Sequence, residues 1–258
     1  MRIHRLTVVQ LNILAIGLAL LSSGCSSPPQ ESKPIVAFVA ASTFAAEQVV
    51  AKAFEKETGV KVEITPGPSS GLAKQIQQGA AAQLFLSADR ATMATLDAQK
   101  IVKQRDLLAN RLVVIVPADS TLKISQLSDL ALPEVKRIAV AEAKVPAGEY
   151  ARQALAKAGV LAAVESRFVG GIDVKATMQY VARGEVEAGI VYRTDALGNS
   201  QVQRALEIPA ELHDPIVYPL ALLKAEPAHP AAERFYDFHD SPVAEAIFRR
   251  FEFSAAAK

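Results

Sequence analysis

The sequence predicts an α/β protein with mainly parallel sheet, and three observations predict it. Short apolar runs of strand length alternate with segments of helical periodicity from residue 35 to residue 253. Several of the strand runs are apolar throughout rather than alternating, as strands covered on both faces are. The helical segments stop at glycines, Gly59, Gly159 and Gly184 among them. The chain has 258 residues, half of them hydrophobic, enough for one large domain or two lobes of about 100–150 residues each.

The elements follow in order. Ile35–Ala40 (Ile-Val-Ala-Phe-Val-Ala) is a buried strand, and Ala45–Thr58 is a helix with Val49, Val50 and Phe54 on one face. Val60–Ile64 reads as a strand, Leu72–Gln78 as a helix and Leu84–Ser87 as a strand. Arg111–Pro117 (Arg-Leu-Val-Val-Ile-Val-Pro) is the strongest buried strand of the chain. Arg137–Val140 is a strand, Pro146–Ala158 a helix, Phe168–Gly170 a strand and Val174–Arg183 a helix. Ala188–Tyr192 and Ile216–Leu223 are strands, and helices around Ala231–His239 and Val243–Phe251 close the fold. Residues 254–258 read as a loose tail, and there is no internal repeat or coiled-coil heptad.

Ahead of the folded body stands an export signal. Met1-Arg2-Ile3-His4-Arg5 is basic, and Leu6 to Leu21 then runs sixteen residues without a charge, short for a membrane span of about 20. The run ends in Leu21-Ser22-Ser23-Gly24-Cys25, which resembles a bacterial lipoprotein cleavage box with Ser22 where leucine is commoner. In that resemblance residues 1–24 are removed and Cys25, the single cysteine of the chain, becomes the lipidated first residue. A plain cleaved signal and an uncleaved anchor are the alternatives. Residues 25–34, rich in serine and proline, read as a tether.

Composition narrows the function. With 28 basic and 27 acidic residues the net charge is +1, and loss of Arg2 and Arg5 with the signal leaves 26 against 27. Such a balance lacks the basic stripe of a nucleic-acid binder. One cysteine permits neither an intrachain disulfide nor a cysteine zinc site. There is no phosphate-binding G-x-x-x-x-G-K-[ST] loop, no G-x-G-x-x-G, no G-x-S-x-G elbow and no H-E-x-x-H. His213-Asp214-Pro215 reads as a turn. In His239-Asp240-Ser241-Pro242, Asp240 or Ser241 is placed to cap the last helix.

What remains is a set of strand-to-helix junctions: Ala41-Ser42-Thr43, Ser69-Ser70-Gly71, Val145-Pro146-Ala147-Gly148 and Asp173-Val174. Pro146 has no N–H, so the first free amides there belong to Ala147 and Gly148. Asp173 can cap an amide further into its helix and leave the Val174 N–H unused. Each junction taken singly is an ordinary helix start. Together they suit an anion, because parallel strands deliver their carboxyl ends to one crevice and helix N-termini present free donors there.

At these residues the chain resembles the periplasmic molybdate-binding proteins of bacterial ABC importers, the ModA family. The resemblance covers residues 35–253 and rests on several segments in order. They are Ala40-Ala41-Ser42, Ser69-Ser70-Gly71-Leu72-Ala73-Lys74-Gln75-Ile76, Leu84-Phe85-Leu86-Ser87-Ala88-Asp89, Val145-Pro146-Ala147-Gly148, Gly189-Ile190-Val191-Tyr192 and the stretch Ala246–Phe253. It implies a type II, two-lobed periplasmic-binding-protein fold with the anion in the cleft. Residues 35–113 and 219–258 would form one lobe and 114–218 the other. It further implies that Ser42 and Ser69 offer hydroxyl and amide, Ala147 and Val174 offer amides, and Tyr192 offers its phenol to molybdate or tungstate, with no cofactor, metal cation or cationic side chain. The implied protein is an exported, extracytoplasmic monomer that hands its cargo to an ABC permease and its ATPase and is held to the membrane by the Cys25 lipid. It is no enzyme and binds no nucleic acid. Gly71 and Gln83 depart from the commoner threonine and aspartate of the family, and Glu149 follows the Ala147 loop.

Three other readings compete. A binder of sulfate or phosphate would use a similar donor set, an enzyme on this scaffold would need a nucleophile or an acid–base group in the cleft, and a structural lipoprotein would leave the donors idle. Calorimetry with a panel of oxyanions separates them.

Overall fold

The computed structural model describes residues 33–226 and 228–256. The signal and Cys25 lie outside the described residues. The elements are β1 (Ile35–Ala40), α1 (Phe44–Thr58), β2 (Val62–Gly67), α2 (Ser69–Gln77), β3 (Leu84–Leu86), α3 (Arg90–Ala94), β4 (Ile101–Ala109) and β5 (Leu112–Pro117). They continue as β6 (Ile138–Ala141), α4 (Pro146–Lys157), α5 (Leu161–Val164), β7 (Phe168–Gly171), α6 (Val174–Ala182), β8 (Ala188–Tyr192), β9 (Val202–Glu207), β10 (Val217–Leu223), α7 (Ala232–Phe238), α8 (Pro242–Arg250) and β11 (Ser254–Ala255).

Two sheets result, in the orders β11-β4-β10-β3-β1-β2 and β7-β6-β8-β5-β9. Both are mixed, which corrects the expectation of mainly parallel sheet. β1 pairs in parallel with β2 and β3, and β6 with β7 and β8. By contrast β10 runs antiparallel to β3 and β4, and β5 antiparallel to β8 and β9. The antiparallel pairs involve the strands that carry the chain between sheets, and β4 and β9 among them had no sequence signal. Their sequences, Ile-Val-Lys-Gln-Arg-Asp-Leu-Leu-Ala and Val-Gln-Arg-Ala-Leu-Glu, are too polar to read as buried runs. The chain passes from the first sheet to the second between β4 and β5 and returns between β9 and β10. Leu112 and Val113, expected in the first lobe, therefore sit in a strand of the second sheet. Val217 and Tyr218, expected in the second, sit in a strand of the first. The tail is also shorter than expected, since Ser254 and Ala255 pair with β4.

Side-chain alternation explains why the first sheet is covered on both faces. Ala37 and Val39 of β1, Leu84 and Leu86 of β3 and Leu220 and Leu222 of β10 join the larger core. The intervening Phe38, Phe85 and Ala221 face a second cluster with Leu72, Ile76 and Met93 of α2 and α3. On the other face Phe54 of α1 meets Phe235 and Phe238 of α7 at ring separations of 4.9 and 5.4 Å. Burying each such ring stabilises the fold by about 1.5–3 kcal/mol. Among the described residues no helix is long and apolar enough to cross a membrane.

The same packing holds a pair that periodicity does not announce. Glu47 of α1 and His239 after α7 are both buried, with His239 Nε2 3.2 Å from Glu47 Oε2. His239 Nδ1 lies 2.8 Å from the Phe235 carbonyl, so its proton is directed there. Ser241, one of the two capping candidates, accepts from the Ala244 amide at 3.2 Å and starts α8.

Candidate functional site

The carboxyl ends of β1, β2 and β3 meet the carboxyl ends of β6, β7 and β8. Between them lies a small cavity of about 20 Å³, lined by Ala41, Ser42, Ser69, Ala88, Pro146, Ala147, Asp173, Val174 and Tyr192 with their neighbours. One water requires roughly 10–15 Å³, so the space is about that of a single water. All five residues that the sequence singles out line it. A larger cavity of about 1000 Å³ lies beside β4 and α8, lined by Arg105, His239 and Arg249 among others, and holds none of the five.

Each residue arrives by a local rule. β1 ends at Ala40, and the chain turns through one 3-10 turn, Ala41–Thr43, in which the Thr43 hydroxyl donates to the Ala40 carbonyl at 2.8 Å. That turn leaves Ser42 buried with its amide outside any intrahelical bond. Pro68 holds extended backbone at φ −63° and ψ 129°, so α2 begins at Ser69. Ser69 Oγ accepts from the Ala88 amide at 2.9 Å, which occupies a lone pair and leaves the hydroxyl proton to donate elsewhere.

In the second sheet Pro146 opens α4 and Ala147 follows with a free amide. Gly148 does not share that role: its N–H donates back to the Val145 carbonyl at 2.8 Å, which corrects the expectation of two free amides. What Gly148 supplies is close approach. A Cβ there would lie 2.3 Å from the Ala141 and Glu142 carbonyl oxygens, so only glycine lets α4 start against the end of β6. Asp173 Oδ1 accepts from the Ala176 amide at 2.7 Å, leaving the Val174 N–H uncapped as expected.

Tyr192 ends β8. Its ring is buried edge-on to Tyr218 at 5.8 Å, and its hydroxyl has no hydrogen-bond partner within the protein. Burial, with the nearby hydroxyl and carboxyl groups of Tyr218, Tyr150, Asp89 and Asp195, pushes its pKa well above the ordinary tyrosine value. The phenol therefore keeps its proton at neutral pH and is a donor.

The electrostatics come from backbone. The N-termini of α2, α4 and α6 all point at the cavity, each carrying about half a positive charge. Lys175, next in the chain to Val174, is engaged elsewhere: its Nζ lies 2.8 Å from Oδ1 of the buried Asp195. Burial raises the Asp195 pKa and the Lys175 ammonium pulls it the other way. Sequence reasoning missed this pair, whose members are separated by twenty residues in unrelated elements.

Two of the three departures are now located. Gln83 sits at the opposite end of the strands, where its Oε1 accepts from the Val36 amide at 2.7 Å near the start of β1. Gly71 lies in the first turn of α2, where a Cβ would come 3.3 Å from Pro68 Cγ.

Comparison with known proteins adds to this geometry. The family model for bacterial extracellular solute-binding proteins matches residues 35–254. The molybdate-binding protein ModA of Escherichia coli is 34% identical over 252 residues, covering 95% of this chain and 97% of that one. This chain belongs to the ModA family of bacterial extracellular solute-binding proteins. A Bacillus subtilis protein, YvgL, named as an ABC transporter substrate-binding lipoprotein, is 33% identical over 252 residues, covering 94% of this chain and 96% of its own. The solved Azotobacter vinelandii periplasmic molybdate-binding protein superposes with a TM-score of 0.79, covering 86% of this chain and all of that one at 24% identity. Its likeness establishes the fold, a type II periplasmic-binding-protein architecture with two sheets.

Proposed function

We propose that this protein captures molybdate or tungstate outside the cytoplasm and delivers it to an ABC permease and its ATPase. The observation that carries the reading is the Tyr192 hydroxyl, buried and without a protein partner at the wall of a cavity lined by Ser42, Ser69, Ala147 and Val174. Every one of these positions offers a donor, and none offers an acid, a base or a nucleophile with an activating partner. A site of donors suits a fully deprotonated tetrahedral dianion. Hydrogen phosphate brings a proton that would face another donor, and smaller sulfate would make longer bonds to the same ring. The names of the ModA relatives support molybdate as the cargo.

The mechanism follows from where the donors reside. Ser42 and Ser69 belong to the body of the first sheet, and Ala147, Val174 and Tyr192 to that of the second. An anion held by both bodies stabilises their closed arrangement and shifts the open–closed equilibrium by its differential affinity. The closed arrangement is the one presented to the permease. Lipidation at Cys25 would keep the protein at the membrane, a reading supported by the cleavage-box resemblance and by the name of the Bacillus relative.

Isothermal titration calorimetry with molybdate, tungstate, sulfate and phosphate tests the proposal. Molybdate and tungstate should bind with similar affinity, and sulfate and phosphate far more weakly. Equal affinities for sulfate and molybdate would refute the cargo assignment, and no binding of any of the four would refute the function.

A further inference from the structure

Tyr218 lies in β10, the strand on which the chain returns to the first sheet, and is fully buried. Its hydroxyl has two neighbours. Asn110, between β4 and β5 where the chain leaves the first sheet, approaches with Nδ2 at 3.0 Å. Ser42 approaches with Oγ at 3.2 Å. Asn110 is itself fixed: its Oδ1 accepts from the Arg111 amide at 2.8 Å, and its Nδ2 also donates to Thr194 Oγ1 at 3.0 Å. The first of these bonds sets the amide orientation, so the group facing Tyr218 is the NH₂.

A proton count then decides the direction of the chain. An amide NH₂ donates only, so the Tyr218 oxygen accepts from Asn110. Tyr218 has one proton of its own, and burial keeps it there by raising the phenol pKa above its ordinary value. Given to Ser42 Oγ, that proton occupies a serine lone pair and leaves the serine proton to point into the cavity. In the opposite arrangement Ser42 donates to Tyr218, the phenol proton is stranded, and serine lone pairs face the anion. Both consequences are unfavourable in a buried site.

We infer that Tyr218, held by Asn110, is a positioning residue that orients the Ser42 hydroxyl as a donor to the bound oxyanion. The inference rests on the anion-binding function proposed above. It also ties the ligand to both places where the chain changes sheets: Asn110 at the first crossing donates both to Thr194, just beyond Tyr192, and to Tyr218 at the second crossing, which leads on to Ser42. A bound anion that fixes the Ser42 proton thereby favours one hydrogen-bond pattern at both crossings.

A double-mutant cycle read by molybdate titration tests this. Ser42→Ala should lower affinity about ten- to 150-fold, the loss of a hydrogen bond to a charged group. Tyr218→Phe keeps the ring and should lower affinity about three- to tenfold, the loss of a neutral bond that directs the donor. In the Ser42→Ala background Tyr218→Phe should change affinity less than twofold, because no serine proton remains to be oriented. A merely structural tyrosine would multiply the two losses, and that result overturns the inference, as does unchanged affinity in Tyr218→Phe alone. Should Tyr218→Phe not fold, Asn110→Ser replaces it in the same cycle with the same expectations. Failure of the unaltered protein to bind molybdate overturns the function itself. Binding without coupling overturns the relay alone.

Discussion

Replacing Tyr192 by phenylalanine separates ligand binding from folding within one side chain. The ring packs edge-on against Tyr218 and is 1% exposed, and phenylalanine fills the same space. The hydroxyl makes no bond within the protein, so its removal breaks none in the unliganded state. Toward a dianion it is one charge-assisted bond, worth about 1.5–3 kcal/mol, or roughly ten- to 150-fold in affinity. With ligand at 1,000 times the Kd, binding stabilises the unaltered protein by about 4.1 kcal/mol. A thirtyfold weaker variant at the same concentration retains only about 2.1 kcal/mol. For a chain of this size that difference corresponds to a ligand-induced Tm shift smaller by about 4–8 °C. Thermal melts with and without molybdate, paired with calorimetry, give both quantities. A variant that melts normally without ligand and shows the full ligand-induced shift would remove Tyr192 from the site.

Gly148→Ala should destabilise the protein by about 1–3 kcal/mol in urea titrations and weaken molybdate binding as well. Its Cβ would press on the Ala141 and Glu142 carbonyls and displace the Ala147 amide, so unchanged stability would contradict the packing argument and full affinity would remove the Ala147 amide from the site. Glu252, beyond α8, accepts from Arg193 Nε at 3.1 Å and Arg204 Nη2 at 2.6 Å. Burial alone would raise its pKa, but the two arginines outweigh it and hold the carboxyl below its ordinary value. Its stabilising effect is therefore complete above the ordinary glutamate pKa and disappears as pH falls through the lower folded one. Glu252→Gln should cost about 1 kcal/mol at pH 7 and nothing once the parent carboxyl is protonated, which urea titrations from about pH 7 to pH 3 would reveal. Cys25→Ala should abolish labelling of the protein by radioactive fatty acid in cells, and a persisting label would exclude Cys25 as the lipid site.

The cavity that gathers the proposed donors was legible in the sequence to the extent that those donors are backbone amides and short hydroxyls at helix starts. Ser42, Ser69, Ala147 and Val174 stand where a strand run gives way to helical periodicity, and Tyr192 closes an apolar strand. Gly148 was misjudged because spacing alone does not say which first-turn amide folds back onto its own loop. β4 and β9 were hidden by charged side chains that the edges and faces of mixed sheets tolerate. Tyr218 and Asn110 carried a faint signal, a phenol inside the apolar run Ile216–Leu223 and an amide between two strands. Nothing in sequence spacing brings residues 108 positions apart to 3.0 Å.

Where the chain leaves and rejoins the first sheet, its two ends are held together. Ala109 of β4 pairs with Val217 of β10, and the Asn110 amide donates to the Ile216 carbonyl at 3.2 Å. Residues 111–215 therefore form an insert whose ends nearly touch. Removing them leaves two antiparallel strands already in register, which a hairpin loop of two to five residues can rejoin. In modular terms the first sheet is a host with a docking port, and the insert is a cartridge that brings Ala147, Val174 and Tyr192 with it. Exchange of that cartridge between related chains, at a junction the fold itself keeps closed, would transplant three of the five proposed donors in one step and leave Ser42 and Ser69 in place to receive them.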